Sequence, residues 1–302
     1  MFTKSRLEGL AAFRNPTRRN GLKLLMVPFL WTKRVLASEL AGSAARIAAL
    51  TRSIRSRSLR ALTGSKFADY VWKMDSQQRE KAILSEALEG NLPAFLRALV
   101  PVEFKHQPAN NEKAITATVF VMPDYLAIGS DEDYLRVPMN LHTAAAIAAR
   151  FGFILPTRKM VDVIYDQSAY RFTPQPLPAG PRMRSTEYYR MHNEMIEKQS
   201  RAHGVRLGTL VSGHKKDVVL TNRLAKAPGQ IAIYGWHRAK DAPIQPLSTV
   251  HGANYADYSH GIRLISDTAL VNGEPHSVDD ILRDSSLANV LSDEGAIRNR
   301  LE

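Results

Sequence analysis

Five of the nine histidines, His214, His237, His251, His260 and His276, fall beyond residue 210, most of them beside or one residue from a glycine. Imidazole takes up and releases a proton near neutral pH, and glycine lets backbone approach a ligand closely, so such pairs suit the rim of a reactive pocket. The densest stretch is Thr249–Leu264, which brings His251, Tyr255, Asp257, Tyr258, Ser259, His260 and Arg263 into sixteen residues. Three chemistries use these types. In the first, Ser259 is a nucleophile. On a strand it and His260 face opposite ways, so its base has to be His214, His237 or His251, oriented by Asp217 or Asp257. Ser212-Gly213-His214 is a comparable candidate. In the second, His251, Asp257 and His260 offer two nitrogens and one oxygen to zinc, with a position left for water. In the third, the histidines only satisfy turns.

A second constellation is Gly213-His214-Lys215-Lys216-Asp217 at the start of a strand. Alternation places Lys215 and Asp217 on one face, with His214 and Lys216 on the other. In a pocket Lys215 would hold a carboxylate or phosphate, and on a surface it would be solvated. The expected site therefore has His260, His251, Ser259, Asp257, His214 and Asp217 as reacting groups, with Arg263, Tyr255, Tyr258, Lys215 and His237 binding substrate.

His251-Gly252 followed by Ser259-His260-Gly261-Ile262-Arg263-Leu264 resembles the signature of bacterial L,D-transpeptidases, which cross-link peptidoglycan. That pattern is His-Gly, a gap, then Ser-His-Gly-Cys-x-Arg, and it spans about sixteen of the 302 residues. The resemblance implies a β-rich fold, His260 as base, His251 at the pocket, Arg263 as a structural or substrate-binding group, and cell-wall material as substrate. Keeping Ser-His-Gly in register puts Ile262 where the nucleophilic Cys belongs and Arg263 one place early, the alternative being deletion of the Cys, and the chain contains no cysteine. Thiol catalysis, Cys-ligated metal and disulfides are thereby excluded. What remains is a hydrolase-like pocket or a related non-catalytic fold.

The elements that must carry these groups read as α+β, with a helical N-terminal part followed by a β-rich C-terminal part. A helix capped by Asp75 runs to Gly90, and a short one follows from Asn91 to Val100. Thr116–Met122 and Tyr125–Ile128 read as strands around a Pro123-Asp124 turn. Gly129–Asp133 is an acidic turn. Helices are expected from Asn140 to Gly152, from Thr157 through Tyr165 and from about Ser185 to Ala202. Four prolines between 174 and 181 make an extended connection over 173–183. Beyond Gly208 the short runs 209–212, 217–221, 230–234 and 261–265 read as strands, then Val271–Pro275 as a turn and Ser277 as a helix cap. No dinucleotide or phosphate-loop glycine motif is present.

Charge is divided unevenly. Residues 1–64 hold 13 Lys or Arg against two Glu, a net +11, and the other 238 hold 28 basic and 27 acidic groups, a net +1. The chain thus reads as a basic extension, 1–64, on a nearly neutral body, 65–302. Thr17-Arg18-Arg19-Asn20-Gly21-Leu22-Lys23, before an eight-residue apolar run, resembles a bacterial twin-arginine export signal, and the Arg- and Ser-rich composition also suits a transit peptide. Leu40, Ile47, Leu50, Ile54 and Leu62 recur at helical spacing, so 38–62 reads as an amphipathic helix, either packed on the body or placed on an anionic partner, a membrane surface or nucleic acid. Export or membrane association is favoured over the cytoplasm. No apolar run reaches 18 residues. The alternative to a hydrolase-like protein is a non-catalytic anchoring or assembly protein held by this extension.

Overall fold

Each helix begins where a side chain can satisfy its free amides, and the computed structural model, which describes residues 49–109 and 113–298, shows these caps directly. Thr63 caps α1 (Gly64–Tyr70), and Asp75 with Gln78 forms a reciprocal capping box on α2 (Ser76–Leu88). Asn140 caps α3 (Leu141–Phe151), which Gly152 closes at φ 75°. Thr157 caps α4 (Arg158–Gln167), Ser185 caps α5 (Thr186–Ala202) and Ser277 caps α6 (Val278–Arg283). The protein is α+β, with six helices and thirteen strands among the described residues.

The larger sheet runs β1 (Val100–His106), β2 (Ile115–Val121), β12 (Ile265–Val271), β13 (Glu274–Ser277), with β5 (Phe153–Ile154) on the end of β12, all antiparallel. A second sheet runs β10 (Ala242–Ser248), β9 (Ile233–Ala239), β8 (Lys216–Val218), β11 (His260–Gly261). There β8 and β11 are parallel, pairing His260 with Lys216 and Gly261 with Asp217. Two small pairs complete the set: β3 (Ala127–Gly129) with β4 (Tyr134–Arg136), and β6 (Tyr170–Arg171) with β7 (Val211–Ser212).

One apolar cluster joins Phe67, Ile83, Leu96, Ile128, Ile147 and Phe151 to Ile262 and Leu264. Another packs Met160 and Ile164 of α4 and Ile281 of α6 on the inner residues Val119, Ile265 and Ala269 of the larger sheet. Burying each such large side chain contributes about 1.5–3 kcal/mol, so these contacts fix where the loops carrying polar groups emerge.

Several boundaries differ from the sequence expectation. The helix expected over 91–100 is a single 3-10 turn, Ala94–Arg97, followed at once by β1. Tyr125 lies in irregular backbone after the Pro123-Asp124 bend, and the strand begins at Ala127. The run 261–265 splits between β11 and β12, so Ile262, Arg263 and Leu264 lie in an irregular connection between them. Strand β10, with Pro243 and Pro246, escaped notice because proline weakens a strand reading. It is an edge strand, where a missing N–H is tolerated.

Residues 51–62 are turns and coil, where a helix was expected, and 38–48 lie outside the described residues. Leu50, Ile54 and Leu62 nevertheless pack on the core. Arg57 donates to Asn91 Oδ1 and to the carbonyls of Ala61 and Leu62, so this arginine braces the body. The described part of the basic segment is thus built into the globular unit, Ala44–Glu302. The Pro-rich stretch is extended as expected but pinned, since the Leu177 N–H donates to Tyr258 Oη at 2.7 Å.

Candidate functional site

The adjacency of β8 and β11 decides which polar residues meet. Strand β11 passes so close to its neighbours that a Cβ on Gly261 would lie 2.6 Å from the Tyr125 ring and 2.7 Å from Lys215 Cβ. Only glycine permits this approach, and the result is a wholly buried polar centre. Tyr125 Oη donates to Asp217 Oδ2 at 2.8 Å, while the Arg263 guanidinium stands 4.5 Å over the Tyr125 ring. Arg263 donates to the carbonyls of Met122 and Val211, at 2.8 and 2.7 Å, and so ties the β2 end to β7. Burial pushes the Asp217 carboxyl up to about 6, against the opposing pull of Arg263 and the Tyr125 hydroxyl.

His214 has a carboxylate partner that sequence reasoning missed. Its Nε2 lies 2.9 Å from Asp124 Oδ1, and Asp124 Oδ2 also accepts from Arg136 Nε and Nη2, at 3.0 and 2.7 Å. Burial opposes ionisation of Asp124, but Arg136 and His214 hold its carboxyl well below the usual range. Burial lowers His214 to about 4 despite Asp124, so the ring is neutral at pH 7 and Nδ1 carries no partner. Asp124 read only as a turn residue, and its partners are 12 and 90 positions away, so no local signal marked it.

Lys215 is fully enclosed and donates to the Tyr258 carbonyl. Burial, reinforced by Arg136, lowers its pKa to about 7. Asp257 organises the opposite part of the segment. Its Oδ1 accepts from the Ser259 N–H at 2.8 Å and from the Ser259 hydroxyl, and its Oδ2 accepts from Tyr255 Oη at 3.0 Å. Ser259 therefore commits its hydroxyl proton to a carboxylate and does not present it to a histidine base. His260 is buried with both ring nitrogens unpartnered, lowered to about 4 chiefly by burial against the pull of Asp257. His251 stacks on Tyr255 at 4.1 Å, and Tyr255 meets His260 edge-on at 5.7 Å. Among the described residues no group of three His, Asp or Glu side chains could hold a metal ion, so the zinc arrangement of His251, Asp257 and His260 is not formed.

His237 belongs to a different group. Its Nε2 is 3.0 Å from Asp162 Oδ1 on α4, an oxygen that also accepts from Tyr234 Oη at 2.8 Å. The residue before it, Trp236, is held at φ 58°, a left-handed conformation costly for a bulky side chain. It follows Gly235, at φ 106°, where a Cβ would stand 3.5 Å from both Asp217 Oδ2 and His237 Cε1. This kink turns Trp236 and His237 onto a small cavity shared with Tyr125, Ser212, Lys215 and Asp217. Its free space is about 10 Å³, room for one oxygen-sized group. Two buried polar atoms of its lining residues have no hydrogen-bond partner, Ser212 Oγ and Trp236 Nε1.

Of the expected site residues, the structure gathers Asp217, Lys215, His237 and Arg263 around this cavity. It puts His251, Tyr255, Asp257, Ser259 and His260 in the neighbouring cluster, with Tyr258 held between Lys215 and Leu177. Asp162, 75 residues from His237, lies inside the helix expected from Thr157 through Tyr165, and no local signal linked it to that histidine. Compared with protein-family models, with curated proteins and with solved structures, the chain has no match.

Proposed function

We propose that the protein is a hydrolase of acyl bonds, with Ser212 as nucleophile, His237 as its base and Asp162 as the carboxylate that orients the imidazole. One observation carries this reading: an unpartnered, buried Ser212 hydroxyl lines the same cavity as a histidine whose Nε2 is fixed to a carboxylate. With Nε2–H directed at Asp162, Nδ1 is left with the lone pair that accepts a proton. Ser212 Oγ is not hydrogen-bonded to the imidazole in the free protein, so substrate has to bring the two within reach. Ser212 Oγ then attacks the substrate carbonyl carbon as its proton passes to His237 Nδ1, and the leaving alcohol or amine takes that proton. Water then releases the acyl group by the reverse transfer. The unspent Trp236 Nε1–H is a donor of the kind that stabilises a developing oxyanion, and the cavity has room for one such oxygen. Arg263, tied to two carbonyls, and the Tyr125–Asp217 pair hold the walls in place.

A fluorophosphonate probe tests the assignment. Ser212 in the wild-type protein should be labelled, and S212A should lose the label. H237A and D162N should label roughly 100-fold more slowly or worse while retaining wild-type circular dichroism. Labelling at another serine, or equal rates in H237A and wild type, removes Ser212 and His237 from the mechanism.

A further inference from the structure

Away from this cavity, two exposed aromatic side chains have no apolar cover: Trp72, 46% exposed, and Tyr70, 56% exposed. They border an open concavity of about 420 Å³ with Lys73 and Arg190. Arg190 also lines a second hollow of about 230 Å³ between α1, β4 and α5, so the two hollows meet at this side chain. Along α5 the second hollow is lined by Arg190, Glu194, Glu197 and Arg201, which the 4-3-4 spacing puts on one helical face over about 16 Å.

Eight charged side chains line the two hollows, Lys73, Arg190 and Arg201 against Asp69, Glu132, Asp133, Glu194 and Glu197, and three of them are in ion pairs. Arg190 pairs with Asp69 at 3.1 Å and lies 5.6 Å over the Trp72 ring, Glu197 pairs with Arg136 at 2.8 Å, and Asp133 accepts from Ser65. The side chains of Glu194 and Arg201 make no hydrogen bond or ion pair among the described residues, and they have opposite signs. The two hollows thus present interspersed donors and acceptors of both signs, three basic and five acidic side chains, next to flat aromatic faces. A polyanion or polycation gains little there. A neutral polyhydroxylated chain gains both, since sugar C–H faces stack on aromatic rings while hydroxyls donate and accept in turn.

We propose that these two hollows bind a neutral glycan chain, with Trp72 and Tyr70 as the stacking platform and Glu194 and Arg201 bonding to hydroxyls further along α5. The hollows share no residue with the Ser212 cavity, so this assignment stands or falls apart from the hydrolase reading. The test titrates the full chain with a β-1,4-linked N-acetylglucosamine tetramer, with cellotetraose alongside, and follows the tryptophan indole N–H resonances. The Trp72 signal should shift saturably while that of Trp236 stays still, W72A and the E194A/R201A double variant should each weaken binding by roughly tenfold or more, and S212A should bind normally. The proposal is overturned by the absence of a saturable Trp72 shift up to about 10 mM of either tetramer, by unchanged affinity in W72A, or by a dimer of this chain that W72A dissociates.

Discussion

Replacing Lys215 by Met tests the buried centre through a change of sign. The lysine pKa falls from 10.5 to about 7 in the folded protein, so the unfolded chain binds the proton more tightly by about 3.5 pH units. At 1.36 kcal/mol per unit, the charged lysine costs about 5 kcal/mol of stability at pH 7 and below. Above pH 7 this cost shrinks as the folded amine loses its proton, and it has nearly vanished by pH 10. Met fills a similar volume without the charge, but it abandons the Tyr258 carbonyl, whose only donor among the described residues is Lys215, at a cost of about 1–3 kcal/mol. K215M is therefore expected to be more stable than wild type by about 2–4 kcal/mol at pH 6–7 and less stable by about 1 kcal/mol at pH 10. Urea unfolding of both proteins at pH 6, 7, 8.5 and 10 measures the difference, in which the ionisation of buried tyrosines common to both cancels. A difference independent of pH, or a destabilised K215M at pH 7, would falsify the claim that Lys215 is held in a dry, electropositive interior.

Two further outcomes follow from other parts of the structure. Asp124→Asn removes the carboxylate shared by buried Arg136 and His214, leaves the guanidinium with Glu197 as its remaining carboxylate, and should cost about 3–5 kcal/mol in denaturant unfolding; a cost below about 1 kcal/mol would show that the pair is not buried as described. If the basic segment docks on an anionic partner, deleting residues 1–48, which hold nine Lys or Arg and two Glu, should abolish salt-sensitive binding to anionic vesicles or duplex DNA while the body still unfolds cooperatively. Equal binding by the truncated chain places the contact elsewhere.

Helix starts were the most legible feature of the chain, because a cap is chemistry between residues two or three apart: Asp75, Asn140, Thr157, Ser185 and Ser277 each announce a helix that the structure contains. Strand limits were less legible. β8 and β11 are only three and two residues long and exist through pairing with each other and with β9, a bond no local pattern encodes. The histidine-rich segment stood out by composition, but composition does not say what faces what. Ser259 beside His260 suggested catalysis, whereas the fold gives the Ser259 hydroxyl to Asp257 and leaves the imidazole enclosed.

The sequence alone determined the α+β class, the lack of any thiol, the uneven charge and the chain segments rich in catalytic side-chain types. It did so because each is a property of composition or of neighbours along the chain. Only the tertiary structure decided that Asp124 serves His214, that Asp162 orients His237, and that Ser212 opens on the same cavity 25 residues before that histidine. These partners are brought within hydrogen-bonding reach by strand pairing and helix packing, and the low-dielectric interior those contacts create then sets whether each group carries its charge.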